Sequence, residues 1–206
     1  DGLALRIDDC APSLLVLAPE KADLQTSANV PVVIADDALL AELTAQSTAF
    51  TPDTAADAMA MYQYTSGTTR QLPEAVKHRH RAVVTVAIAA LYATGVRPWD
   101  HFMCPSSPAW GHGLWHGTLA PLSLGVSIAA YAGPFDAERL MRAIQDYKIT
   151  NLSAAATHYR MMKQAGTADE FDFNLQKLTF TGEAMDGGTA DWVNATFGQH
   201  ARSIYG

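Results

Sequence analysis

Short apolar runs recur along this chain with helix-length segments between them, and that alternation restricts the fold more than any other feature. Runs at 14–17, 30–34, 61–64, 101–104, 126–131, 151–154, 177–180 and 202–205 read as strands. Asp136 is a good helix N-cap, and Leu140, Met141, Ile144 and Tyr147 follow it at helical spacing. Residues 186–197 repeat that pattern more weakly. Residues 80–92 are apolar almost all round, which predicts a buried helix. The β-α-β-α order predicts an α/β fold, a layered, largely parallel sheet with helices on both faces. Ligands of such sheets sit beyond the carboxyl ends of the strands, so the loops after the strands are the place to look for chemistry.

Composition narrows the function classes. With 49% hydrophobic residues, the 206-residue chain has enough apolar matter for a sizeable core, which argues against disorder. Its net charge of −7 and lack of a basic run make it a poor partner for nucleic acid or an anionic membrane. The longest apolar stretch, 82–93, is too short to span a bilayer, and no charged-then-apolar leader opens the chain. Cys10 and Cys104 are the only cysteines, which leaves neither a disulfide framework nor a cysteine zinc site. These features predict a soluble, cytoplasmic domain. The chain starts at Asp1 and stops directly after Ile204 and Tyr205, which predicts a piece of something longer.

The loop after Tyr64 carries the sharpest signal. Thr65, Ser66, Gly67, Thr68, Thr69 and Arg70 follow a strand; five are small or hydroxylated, and the sixth is a cation. Such a loop offers backbone N–H groups, hydroxyl donors and one positive charge to a polyphosphate. The competing reading is a plain Ser/Thr/Gly turn from strand to helix. No Gly-Lys-Ser or Gly-Lys-Thr follows, so it is not a Walker loop.

The string from Tyr64 to Thr69, followed by Pro73, Val76, His78 and His80, resembles the signature of the adenylate-forming, AMP-binding superfamily. That superfamily includes acyl-CoA synthetases, aryl-CoA ligases and luciferases, and its pattern is Tyr-Thr-Ser-Gly-Thr-Thr-Gly-x-Pro-Lys-Gly-Val. Two departures stand out. Arg70 replaces a Gly, with one extra residue before Pro73, and Glu74 replaces the phosphate-loop Lys. An anion beside a triphosphate is unfavourable unless Arg70 or Lys77 compensates. The resemblance implies that residues 65–70 bind the phosphates of ATP or AMP.

In the segment 105–125, Gly111, Gly113 and Gly117 do not have the spacing of a dinucleotide fingerprint. His112 and His116 are four apart, as in zinc helices, but the Glu and a third ligand are missing, so no metal site is expected. Two readings stay open: the wall of a ligand pocket, or a Gly-rich helix start with Trp115 in the core. The resemblance implies the former, with Trp110, Gly111, His112 and Gly113 lining an acyl pocket. Small Gly111 and Gly113 would then suit a bulky or aromatic acid.

Ser153 to Thr157 and Thr181 to Met185 each end a strand. The first resembles the family's Ala-Pro-Pro-Thr turn without its prolines. The second resembles the turn that holds adenine, which implies Gly182, Glu183 and Ala184 as adenine contacts. Tyr205 and Gly206 match the start of Tyr-Gly-x-Thr-Glu and imply an adenine-stacking Tyr; the chain stops before that Thr and Glu. Around Ala4 to Leu17, Asp9, Cys10, Pro12 and Leu14-Leu15-Val16 are also in register with the family.

The resemblance implies a partial AMP-binding domain over 1–206, from the large N-terminal domain of a ligase without its C-terminal lid. The intact enzyme would adenylate a small-molecule carboxylic acid with ATP and Mg²⁺ and pass the acyl group to coenzyme A, for example in fatty acid metabolism. This chain alone is expected to be inactive. The alternatives are a non-catalytic nucleotide- or acyl-adenylate-binding domain and a plain interaction module. If neighbouring strands are missing, exposed edges would make the chain sticky or homodimeric.

Overall fold

The computed structural model describes residues 2–24, 30–64 and 75–204. The expected phosphate loop at 65–70, Pro73, Glu74, Tyr205 and Gly206 therefore lie outside the described residues. The chain divides into two compact units, Asp1–His80 and Arg81–Gly206.

The first unit opens with helix α1 (Gly2–Cys10), followed by strand β1 (Leu15–Leu17), strand β2 (Val32–Ile34) and helix α2 (Asp37–Thr44). β1 and β2 pair in parallel. The Asp36 carboxylate accepts a hydrogen bond from the Leu39 N–H and starts α2. Strands β3 (Met59–Tyr64) and β4 (Ala75–Arg79) pair antiparallel, with an irregularity between Met59 and Met61. Tyr64 ends β3 with its hydroxyl donating to Asp9 Oδ2 at 2.6 Å. The Arg6 guanidinium lies 5.7 Å from its ring centre. The bond to Asp9 is the main cause that holds the Tyr64 phenol above its ordinary pKa.

The second unit carries the parallel sheet. Its elements are α3 (Ala82–Ala89), β5 (His101–Met103), a π-helical turn (His112–Leu119) running into α4 (Ala120–Ser123), β6 (Ser127–Ala129), α5 (Ala137–Asp146), β7 (Asn151–Ala155), α6 (Ala156–Ala165), β8 (Lys177–Thr181), α7 (Gly187–Phe197) and β9 (Arg202–Ser203). The order in space is β6-β5-β7-β8-β9, and every pair is parallel.

The pleat sends alternate side chains to opposite faces. Met103, Leu152, Ala154 and Leu178 face a core completed by α5, α6 and α7 through Leu140, Met141, Ile144, Tyr159, Met162 and Val193. Phe102 and Cys104 face the other way, onto Ala90, Val96, Ala120 and Val126. Helices on both faces of a parallel sheet are the layered α/β arrangement expected from the sequence. Asp136 caps α5 as predicted, its carboxylate taking the Arg139 N–H at 2.7 Å.

One expectation is corrected. The apolar helix over 80–92 is not buried throughout: Val84 is 58% exposed, Ile88 53% and Tyr92 83%. Only one side of α3 and its π-helical end meets the sheet, through residues such as Val86 and Ala90. Nothing among the described residues covers the rest. No described helix is long and apolar enough to cross a membrane.

Candidate functional site

Three connections meet at the carboxyl ends of β5, β7 and β8. They are the loop from Cys104 into the π-helical turn, the start of α6, and the turn from Thr181 into α7.

The first two are joined by a chain of polar side chains. Ser106 Oγ lies 3.0 Å from His112 Nδ1, and His112 Nε2 lies 2.9 Å from Ser153 Oγ. Thr179 Oγ1 donates to Ser153 Oγ at 2.9 Å. Ser153 and Thr179 face each other across β7 and β8 and are buried. A neutral imidazole has one donor and one acceptor, so it satisfies two rotatable hydroxyls at once. The same hydroxyls could also accept from a doubly protonated ring, so it is burial rather than the hydrogen-bond pattern that disfavours the cation. Burial, with His116 and His158 nearby, lowers the His112 pKa from 6.5 to about 4. Burial also lowers His116 and His158. His158 stacks on Phe135 at 4.6 Å, and its Nδ1 takes the Ala155 N–H at 3.2 Å, at the first turn of α6. Burial pushes the Cys104 thiol up to about 11, so it carries no thiolate chemistry near neutral pH.

These rings predict an acid-labile unit. The fold holds them neutral, whereas the unfolded chain binds protons near pH 6.5. Stability should be full above that pH and fall as pH drops toward 4, by about 3 kcal/mol for His112 alone. All four tryptophans, Trp99, Trp110, Trp115 and Trp192, lie in the second unit, so their fluorescence in urea reports that unit. His112→Gln should flatten the curve between pH 6.5 and about pH 5.5, above the range where most ordinary carboxylates titrate. An unchanged slope would show that His112 is not held neutral.

The residues expected in an acyl wall are close in sequence but differently placed. Trp110 is 67% exposed. Gly111 opens the π-helical turn, and His112 is turned toward Ser106 and Ser153. Gly113 is buried, and a Cβ there would lie 2.3 Å from the Ser106 carbonyl oxygen and 2.2 Å from that of Ser107. Its missing side chain is filled by backbone, so the space is not free for a substrate.

The third connection is more open. Gly182 has φ +91°, a left-handed value that disfavours any side chain, and nothing stands within 4 Å of where its Cβ would be. Gly182, Glu183 and Ala184 are all exposed. Glu183 accepts from Thr157 Oγ1 and from Arg160 Nη1, the latter at 3.3 Å. Those contacts, Thr157 first, hold its carboxyl below the usual range. Asp186 caps α7 by taking the Thr189 N–H at 2.9 Å and the Thr189 hydroxyl at 2.7 Å.

A family model described as AMP-binding enzyme matches residues 1–206. The chain belongs to that family. It is 32% identical over 158 residues to the uncharacterized acyl-CoA ligase YtcI of Bacillus subtilis (strain 168), a match over 76% of this chain and 30% of the relative. It is 30% identical over 115 residues to the 3-hydroxybenzoate–CoA/4-hydroxybenzoate–CoA ligase of Thauera aromatica, which spans 56% of this chain and 22% of that protein. The chain thus spans less than a third of the length of these curated relatives. In fold it is similar to an acyl-CoA synthetase from Brucella canis, with a TM-score of 0.83 and 24% identity over 97% of this chain and 39% of that one. It is also similar to the anthranilate CoA ligase AuaEII in complex with anthranoyl-AMP, with a TM-score of 0.85 and 19% identity over 98% of this chain and 41% of that one.

Around these three connections, the sequence did not single out Ser106, Arg160 or Thr179. A readable signal existed for Thr179. Asn151 with Ser153, and Lys177 with Thr179, put polar residues at every second position of two strands otherwise built for burial.

Proposed function

We propose that this chain is the nucleotide-binding part of an acid–CoA ligase that works through an acyl adenylate. A carboxylate oxygen attacks the α-phosphorus of ATP, and the bond to pyrophosphate breaks. The coenzyme A sulfur then attacks the acyl carbon, AMP leaves, and the thiol proton is released. Such chemistry needs positioning and charge neutralisation rather than a protein nucleophile. Thr65, Ser66, Gly67, Thr68 and Thr69 offer donors to the phosphates, with Arg70 as the neutralising cation. Gly182, Glu183 and Ala184, with Tyr205 and Gly206, take adenine. Trp110, Gly111 and His112 form one side of the acyl site, with Gly113 setting the backbone behind them. Mg²⁺ would be held mainly by the phosphates of ATP itself and would supply charge neutralisation there.

The observation that carries this reading is the open turn at Gly182, beyond the end of a parallel strand, in a chain that matches the AMP-binding family throughout. The experiment is a calorimetric titration with AMP and with Mg·ATP. Saturable AMP binding, weakened about tenfold by Tyr205→Ala through lost base stacking, is the expected result. No binding of either nucleotide would overturn the reading for this chain.

Glu74 favours a second reading, a domain that binds AMP or an acyl adenylate without using ATP. It is distinguished by AMP binding with no Mg·ATP binding, and by recovery of Mg·ATP binding in Glu74→Lys.

A further inference from the structure

Thr157 and Arg160 already occupy the Glu183 carboxylate, and Gly182 and Ala184 have no polar side chain. What the turn proposed to take adenine can offer is therefore its backbone, and its shape matters more than its side chains. Apolar packing reaches only its far end, where Met185 lies against the core. Gly182, Glu183 and Ala184 are exposed, and nothing fills the space beside Gly182.

What the turn does have is a row of polar fasteners on α6. Thr157, Arg160 and Lys163 are three residues apart in sequence, which places them along one edge of the helix. Together they hold the β8–α7 connection and the first turn of α7. Thr157 Oγ1 donates to Glu183 Oε1. Lys163 Nζ donates to the Gly188 carbonyl at 2.7 Å. Arg160 alone reaches two points, with Nη1 3.3 Å from Glu183 Oε1 and Nε 3.6 Å from Asp186 Oδ2. Glu183 belongs to the turn, and Asp186 is the cap that starts α7. The guanidinium therefore ties the exposed turn to a fixed helix start, and a planar fork does this where a point charge would not.

We propose that Arg160 is a positioning residue for the nucleotide: by pinning Glu183 and Asp186 together it fixes the backbone of Gly182, Glu183 and Ala184 in the shape that adenine reads. The proposal rests on the adenine assignment given above. It predicts a residue that never touches the ligand and yet sets its affinity.

The test uses AMP as probe on this chain, with Arg160→Gln and Arg160→Lys compared. Both variants should weaken AMP binding about tenfold, the loss of one charge-assisted hydrogen bond. Both should melt within about 2 °C of the parent, because a solvent-exposed pair adds little to global stability. Amide hydrogen exchange at residues 182–186, measured without AMP, should speed up in both. Full rescue by Arg160→Lys would reduce the role to net charge and overturn the fork. Unchanged exchange in the turn would overturn the positioning role itself. Faster exchange with no AMP binding by the parent chain would overturn the adenine assignment, and the proposal would fall with it.

Discussion

Replacing Asp100 with Ala should cost the second unit about 3–5 kcal/mol, because it leaves buried donors and a cation without their shared acceptor. Asp100 is 2% exposed. Its two oxygens take Lys177 Nζ at 2.8 and 2.9 Å, the Asn151 side-chain amide at 3.1 Å and the Arg97 N–H at 2.9 Å. Every neighbour is a donor. Asp100→Asn should therefore be nearly as damaging, since its amide nitrogen would face donors and Lys177 would lose its counter-charge. Lys177 also donates to the Gly95 carbonyl at 2.9 Å, so the network joins the end of the α3 segment to the starts of β7 and β8. Urea unfolding followed by tryptophan fluorescence at pH 7.5 measures the cost. The double variant Asp100→Leu, Lys177→Met should recover part of it, because an apolar pair leaves no unpaired charge. A loss below about 1 kcal/mol for Asp100→Ala would mean that water replaces the carboxylate and the site is not truly dry.

The runs at 151–154 and 177–180 were recognisable because strands covered on both faces carry few charges. α5 was recognisable because Asp136 and three buried apolar residues agree on one period. β4 was not, because Ala75-Val76-Lys77-His78-Arg79 alternates weakly and owes its conformation to pairing with β3. α2 was missed although Asp36 carried its signal, since Leu40 and Leu43 stay exposed and the apolar face gains little from burial.

At the site, the turn at Gly182 was legible through its family resemblance. The fasteners on α6 were not, because they join residues 26 apart in sequence, as Thr157 and Glu183 show. His112 was legible as a residue of interest. That its ring spans Ser106 and Ser153 depends on the ends of β5 and β7 meeting, which no local pattern encodes.

Gly113 separates two meanings that a glycine in a binding segment can have. If it made room for a substrate, Gly113→Ala would leave stability intact and change only what binds. The geometry predicts the opposite. The new Cβ would meet backbone at 2.2, 2.3 and 2.5 Å, and backbone cannot rotate away. Either the π-helical turn or the Ser106–Ser107 loop must shift, and a shift of the loop carries Ser106 off His112. The expected cost is about 3 kcal/mol or more, at the upper end for overpacking. His112 should then titrate closer to its ordinary range, visible in its ring NMR shifts. Gly182→Ala is the control. It has open space at 4 Å but a φ of +91°, so it should cost only about 1–2 kcal/mol of backbone strain and act mainly on nucleotide binding. A Gly113→Ala variant as stable as its parent, with altered ligand preference, would reverse this assignment and return Gly113 to the pocket wall.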